Sequence, residues 1–447
     1  MNTTRLSHCA LLLLIAGCGG GSAASPGDDG GAGSIGGSSA GGGGGSVGVA
    51  GSTSGGDAAT SGGASAGSSS GGSGASAGAG AEPGAGGMSY AGTGGTAGTG
   101  GTPATGGSSP GSGGPDYWLG VDISFPETQP EATRANLLTL LKAHGINSVR
   151  LRTFVDPTAA DGYNKSGACD LAHTIDFGKQ IKAAGMGLLV DFHYSDNWAD
   201  PGKQCVPVKW QSLSTIAQLA SAVHDYTKDA ITQLIAGGAR PDMVQIGNET
   251  TPGMLIHRCD SGGSPTGTNP VNGSTSNWAN LGALLKAGVD GVKEVDPKIL
   301  TSFHIAKGGD HTDGQAALST SVSWLTNALK YTPVDAFGES CYQTYQGDKS
   351  SASHSKMIWE TVEGGLASKF PNIKIFAAEY GGAIREINDV IYGLPNKSGL
   401  GTFFWEATMA SSSWNNGALV HQSGSTYTAD AQLSLYDTMK TDYASRL

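Results

Sequence analysis

The chain has 447 residues, 74 of them glycine, with 14% charged side chains and a net charge of −11 at pH 7. An acidic balance argues against nucleic acid and anionic polysaccharide as partners and favours a neutral substrate. The glycines crowd before residue 115 without a strict Gly-X-Y period, which excludes collagen and leaves one large domain where the length alone would allow two or three.

Residues 1–17 have the layout of a lipoprotein signal peptide: Arg5 supplies the positive end, and 10–16 is an apolar run too short to span a bilayer. Ile15-Ala16-Gly17-Cys18 resembles a bacterial lipobox, which implies cleavage before Cys18 and lipidation of that residue. An ordinary secretory peptide with an incidental cysteine is the alternative. Residues 18–115 are rich in Gly, Ser and Ala and bury too little apolar surface to offset ordering, so a disordered tether is expected. Membrane contact is expected only through the N-terminal lipid, at the outer membrane or cell surface, with plain secretion as the other outcome. Residues 116–447 form the folded domain, expected to be monomeric. Arg5 against Asp28, Asp29, Asp57 and Glu82 accounts for −3 of the charge, leaving −8 on the domain.

Within the domain, short β-rich runs alternate with helical patterns. The strand-like runs are 118–123, 148–152, 187–192, 243–247, 299–304, 336–340, 374–378 and 401–405. The helical stretches are 131–144, 174–184, 213–236, 278–294, 319–331, 353–368, 384–394 and 429–443. Strict alternation over this length predicts an α/β fold, a (β/α)8 TIM barrel. A doubly wound open sheet lacks support, because no Gly-rich phosphate loop follows the first strand.

Strand ends are rich in polar and aromatic residues: Asp122 and Ser124, Arg150 and Arg152, then Asp191 through His193, Tyr194, Asp196 and Trp198. Later strands carry Asn248 and Glu249, His304, Glu339 and Tyr342, Glu379, and Trp405. In a barrel of this kind the C-terminal strand ends hold the chemistry. Two glutamates ending strands 4 and 7 are the equipment for retaining glycoside hydrolysis. Glu249 is expected to act as acid/base and Glu379 as nucleophile, with Asn248 on the sugar 2-hydroxyl. Arg152 is expected beneath the pair, keeping Glu379 ionised. A structural ion-pair network with Arg150 and Arg152 is the rival use of the same carboxylates. Asp122, Arg152, His193, Tyr194, Asp196, Trp198, Asn248, His304, Tyr342 and Trp405 are expected to line the substrate site, the aromatics stacking on sugar rings. Asp196 and Asp200 could equally order their loop. His193 and His304 lack any H-E-x-x-H context, so no metal site is expected.

Cys169, Cys205, Cys259 and Cys341 remain in the domain, an even count that fits two disulfides in an exported protein. Cys169–Cys205 and Cys259–Cys341 are the pairings expected. A four-cysteine zinc site is disfavoured by the absence of close C-x-x-C spacing.

The run from Asp191 to Gln204, Asp-Phe-His-Tyr-Ser-Asp-Asn-Trp-Ala-Asp-Pro-Gly-Lys-Gln, resembles the loop after strand 3 of the arabinogalactan endo-β-1,4-galactanases, glycoside hydrolase family 53. So does Met243 to Leu255. Weaker likenesses at 120–124, 147–152 and around His304 follow in the family's order. The resemblance implies a (β/α)8 barrel, retention of configuration, Glu249 as acid/base, Glu379 as nucleophile and internal cleavage of neutral β-1,4-linked galactan, including type I arabinogalactan. It implies no required cofactor. Ser340-Cys341-Tyr342-Gln343-Thr344-Tyr345-Gln346 and Tyr380-Gly381-Gly382 depart from the family's usual runs, which bears on subsites and product length. Some members bind calcium between strands 7 and 8; here Glu386, Asp389, Asn388 and Asn396 offer too little for a calcium site to be expected. A hydrolase of another neutral β-glycan, or a catalytically inactive surface glycan-binding lipoprotein, are the alternatives.

Overall fold

The computed structural model describes residues 114–306, 313–343, 351–409 and 417–447. The expected signal peptide, Cys18 with its lipid, the tether up to residue 113, and Tyr345 lie outside the described residues.

Eight parallel strands close into a barrel: β1 Trp118–Asp122, β2 Ser148–Thr153, β3 Gly187–Phe192, β4 Met243–Ile246, β5 Leu300–Ile305, β6 Ala336–Tyr342, β7 Lys374–Gly381 and β8 Gly399–Phe404. The helices between and after them are α1 Glu131–Ala143, α2 Leu171–Ala183, α3 Ile216–Ala236, α4 Trp278–Val295, α5 Gly314–Ala328, α6 Ala352–Lys369, α7 Ile384–Tyr392 and α8 Ser434–Asp442. The expected TIM barrel is the fold observed.

Alternation along each strand sorts the side chains into two cores. Leu119, Val121, Val149, Leu151, Leu188, Val190, Val244 and Phe303 face the helix layer. Trp118, Leu189, Met243, Phe376 and Phe403 plug the lumen. Glycine makes room for that plug: a Cβ on Gly120 would sit 2.4 Å from the Phe403 ring, and one on Gly338 would sit 2.6 Å from Phe376. Above the plug, the inward positions become polar. The same parity sends Glu339 outward, where its charge bears on Cys341 beside Glu363 of α6, so Glu339 leaves the list of strand-end site residues.

One irregularity matters for the site. The pairing of β6 with β7 slips between Glu339 and Ser340, so Ser340 lies opposite Glu379 instead of Ala378. A bulge of this kind re-aims a side chain, and here Glu379 turns inward while Tyr380 points to the helix layer.

Several boundaries differ from expectation because capping side chains set them. The α3 helix begins after Thr215, whose hydroxyl accepts from Gln218 N while the Gln218 side chain returns to Thr215, and α5 begins after Asp313. The stretch read as one helix over 429–443 opens instead on the last residue of a strand pair, Val420–Ser423 with Thr426–Ala429, then takes a short turn, Ala431–Leu433, and only then becomes α8. Between β4 and α4, two small antiparallel pairs, Gly253–Met254 with Gly273–Ser274 and His257–Cys259 with Pro265–Thr268, build a ribboned loop.

The disulfide expectation is overturned. Cys205 pairs with Cys259 at 1.93 Å S–S, and Cys169 and Cys341 are free and buried. Cys169 follows β2, with its N–H on Glu127, and Cys341 faces Glu363 behind β6, so neither points at the ribboned loop. The pair that forms ties the loop after β3 to the loop after β4.

Candidate active site

The site grows from the end of β4. Gly247 has φ 79° and Glu249 φ 45°, so the chain turns sharply as it leaves the strand. A left-handed conformation is unfavourable for a glutamate and persists where its surroundings fix it. Three contacts do so. Thr250 N donates to His304 O at 2.8 Å, Trp324 Nε1 donates to Thr250 O at 3.0 Å, and Gln204 Nε2 donates to Asn248 O at 2.8 Å.

Arg150 is the hub. Nη1 donates to Asp122 at 2.7 Å, and Nη2 lies 2.8 Å from Asp191, 2.7 Å from Asn248 Oδ1 and 3.0 Å from Glu379 Oε1. The Tyr342 hydroxyl donates to Glu379 Oε2 at 2.8 Å. Ser340 Oγ and Glu249 Oε1 share a hydrogen bond of 2.5 Å. Asn248 Nδ2 donates to Ala199 O at 2.8 Å, which settles which way its amide faces.

Charge follows from this geometry. Burial pushes the Glu249 carboxyl well above the usual range, and the neighbouring charge of Glu379 pushes it further. Burial also raises Glu379, but Arg150 and the Tyr342 hydroxyl pull against it. Arg150 and the Tyr342 hydroxyl favour the charged form of Glu379, and that charge favours the protonated form of Glu249, with the Ser340 hydroxyl contact opposing. Asp191 goes the other way: burial would raise it, but Arg150 and His193 hold it below the usual carboxylate range.

The remaining expected residues divide. His193 donates from Nε2 to Asp191 at 3.0 Å and accepts Ala199 N–H on Nδ1 at 3.0 Å. Its ring also packs edge-on against Trp198, with centroids 6.0 Å apart. His304 lies beneath the acid, fully buried and 2.9 Å from Ser340 Oγ, so it supports the site instead of lining it as expected. Trp405 approaches both Trp198, at 6.3 Å between centroids, and Tyr342, at 6.5 Å, which makes an aromatic wall.

Four further expectations need correction. Arg152 does not touch Glu379; its guanidinium lies between Phe125 and Trp198, 4.5 and 4.3 Å from their rings, and reaches Asp122 at 3.5 Å. Both arginines share one face of β2, and the sequence does not reveal which lies level with Glu379. Asp122 is fully buried under Arg150 and Arg152 and is out of reach of a substrate. Tyr194 turns away from the lumen to meet Thr227 of α3 at 2.7 Å. Asp196 orders its loop, accepting from Asp156 N at 2.9 Å and Val208 N at 2.8 Å.

Sequence reasoning overlooked Ser340 and Gln204. Ser340 faces inward by the same alternation as Tyr342, but the slip that brings it level with Glu379 lies in β7 and has no sequence signature. Gln204 adjoins Cys205, and the pairing of that cysteine was the available signal. Among the described residues no group of three or more His, Cys, Asp or Glu is placed to hold a metal ion. Asp389, one of the two carboxylates between β7 and β8, lies on α7, bound to Arg385 at 2.9 Å and to the Tyr443 hydroxyl at 2.6 Å.

A family model described as glycosyl hydrolase family 53 matches residues 121–363. An arabinogalactan endo-β-1,4-galactanase of Thermothelomyces thermophilus is 33% identical over 311 residues, covering 64% of this chain and 84% of that protein. An endo-β-1,4-galactanase of Bacillus subtilis is 29% identical over 297 residues, 61% of this chain and 63% of its own length. An uncharacterized Niallia circulans protein is 37% identical over 206 residues, 44% of this chain, and the chain spans about half (52%) of that relative. Among solved structures, the GH53 catalytic domain of Ignisphaera aggregans superposes with a TM-score of 0.58 at 27% identity, covering 72% of this chain and 95% of that one. A fungal β-1,4-galactanase superposes with a TM-score of 0.57 at 27% identity, covering 72% and 99%. A glycosidase site at the mouth of a barrel, together with a family match over more than half of the sequence, identifies this chain as a member of glycosyl hydrolase family 53.

Proposed function

We propose that the domain cleaves neutral β-1,4-linked galactan internally, with retention of configuration, through a double displacement at Glu379 and Glu249. One observation carries this reading most: Arg150 and Tyr342 grip Glu379 and favour its charged form, while burial and the charge of Glu379 push the Glu249 carboxyl up. Glu379 would attack the anomeric carbon as Glu249 passes its proton to the departing glycosidic oxygen. Water would then break the glycosyl–Glu379 ester, returning its proton to Glu249. Asn248, fixed by Arg150 and Ala199, is suited to the 2-hydroxyl, and Trp198, Trp405 and Tyr342 offer ring faces. The names of the similar Thermothelomyces and Bacillus proteins support galactan as the polymer.

The test incubates the purified chain, E249Q and E379Q with linear β-1,4-galactan, and with xylan and mannan as controls. Mixed oligosaccharides released early from galactan alone, initially as the β-anomer, and lost in both variants, are the expected result. Cleavage of another glycan would move the substrate, and α-anomeric product would overturn retention. Binding without cleavage would leave a glycan-binding role.

We further propose that the chain is a monomer anchored through a lipidated Cys18. Among the described residues no helix is long and apolar enough to cross a membrane. Mass analysis of the N-terminal peptide is expected to show acyl chains on Cys18; an unmodified thiol there would overturn the anchor.

A further inference from the structure

Beneath Glu249 runs a chain of hydrogen-bonding groups whose protons can be counted. Asn248 Oδ1 is an acceptor, because Arg150, which has no lone pair to offer, lies 2.7 Å away, and the amide's Nδ2 is committed to Ala199 O. His304 Nδ1 lies 3.0 Å from that oxygen, and His304 Nε2 lies 2.9 Å from Ser340 Oγ. Ser340 Oγ then meets Glu249 Oε1 at 2.5 Å.

A neutral imidazole has one N–H. Burial, with the nearby charge of Arg150, pushes His304 well below the usual imidazole range, so the doubly protonated ring is not stable there. Two donors also approach Nδ1 and would suit the opposite tautomer. One is Glu249 N at 3.4 Å, a long contact. The other is Gln245 Nε2 at 3.2 Å, whose hydrogens have closer acceptors in Asp191 Oδ1 at 2.6 Å and Gly247 O at 3.1 Å. The stronger demand on Nδ1 is therefore to donate to Asn248.

We propose that His304 and Ser340 are positioning residues that hold Glu249 in its proton-donating form. With its hydrogen on Nδ1, His304 accepts a hydrogen bond from the Ser340 hydroxyl on Nε2, so Ser340 Oγ has only lone pairs to offer Glu249, the reverse of the donation an ionised Glu249 would receive. Protonated Glu249 satisfies that oxygen; ionised Glu249 faces it acceptor to acceptor. When Glu249 gives its proton to a leaving group, Ser340 must swing its hydroxyl toward the carboxylate and abandon His304. That lost hydrogen bond favours recovery of the proton from the attacking water. The inference rests on the assignment of Glu249 as the acid. Glu379 on β7, Asp200 in the loop after β3 and Arg150 on β2 also bear on Glu249, while Arg150, Asp191 and His193 face His304. His193 is fixed by Asp191 on Nε2 and the Ala199 N–H on Nδ1, so the donor direction that bears on Glu249 is set by Ser340 and His304.

The test is nitrogen NMR of the full chain labelled at histidine with 15N, the His304 signals being assigned by their loss in H304Q or, should that variant not fold, by their movement in S340A. A protonated Nδ1 and a bare Nε2 are expected; the reverse tautomer overturns the proposal. This readout needs no substrate, so an inactive protein would overturn the functional reading and leave the tautomer result to stand alone. In the active enzyme, S340A is expected to move the alkaline limb of kcat/KM to lower pH, because protonated Glu249 loses its acceptor. A shift to higher pH, or none, would show that Ser340 donates to the carboxylate and overturn the proposal.

Discussion

Arg150 Nη2 lies 3.0 Å from Glu379 Oε1, and the same guanidinium binds Asp122, Asp191 and Asn248. A planar fork serves four partners where an ammonium point charge cannot. Arg150→Lys should therefore lower kcat by about 10²- to 10³-fold, the range seen when one preorganised donor is lost from an active site. It should also move the acidic limb of the pH profile upward, since an ammonium keeps a positive charge but no longer directs an N–H at Glu379 Oε1, and so favours its charged form less. Arg152→Lys, which alters a residue stacked on Trp198, should leave that limb in place. Kinetics across pH for both variants decide the matter: equal shifts would return Arg152 to the role first expected of it.

The contrast between these arginines shows where sequence reading stops. A strand period of two puts both on one face of β2, and strand-end polarity puts Asn248, Glu249 and Glu379 at one mouth. Those inferences need only a period of two and a closed barrel. Which arginine meets Glu379, and that Ser340 lies beside it, depend on barrel register and on the slip between Glu339 and Ser340. Neither leaves a local trace in composition. Tyr194 and Asp196 failed for another reason: the chain leaves β3 into a loop where Tyr194 takes φ 49°, and strand alternation no longer says which way a side chain points.

Tyr342→Phe removes the hydroxyl that donates to Glu379 at 2.8 Å and keeps the ring 6.5 Å from Trp405. A hydrogen bond to a charged group contributes about 1.5–3 kcal/mol, so kcat should fall roughly 10- to 10²-fold. The acidic limb should rise, because Glu379 loses a partner that favours its ionised form. KM should change less than kcat. A large rise in KM with kcat retained would assign Tyr342 to sugar binding instead.

Cys205 and Cys259 close a loop with a sequence separation of 54, and Gln204 next to Cys205 holds the carbonyl of Asn248 at 2.8 Å. Chain-entropy reasoning gives such a cross-link about 4 kcal/mol of stability. Reduction should thus lower Tm and also kcat, since the clamp on the strained backbone at Glu249 loosens. Peptide mapping without reductant should find Cys205 joined to Cys259. Cys169 and Cys341, both buried, should react with an alkylating agent only after denaturation. Recovery of a Cys169–Cys205 peptide would contradict the fold around both loops.

Stability should respond to pH through carboxyls that take no part in the chemistry. Glu363 on α6 is fully buried, accepts from Cys341 Sγ at 3.4 Å, and is pushed up to about 8 by burial, with the Cys341 contact opposing. Glu127 and Glu406 are likewise pushed up to about 8, mainly by burial. A carboxyl raised in the folded state binds its proton more tightly there than in the unfolded chain. Its contribution is complete below the unfolded value and is lost as pH rises toward the folded one. Tm should therefore fall between about pH 5 and about pH 8.5, where the native state must ionise groups it keeps neutral. Glu363→Gln keeps an oxygen acceptor for Cys341 and removes one of those protons. It should leave Tm near that of the unmodified protein at about pH 5 and raise it above that protein at about pH 8.5, flattening the decline. A variant whose Tm falls in parallel with the unmodified protein across this range would show that Glu363 is ionised throughout, and the neutral pairing with Cys341 would have to be abandoned.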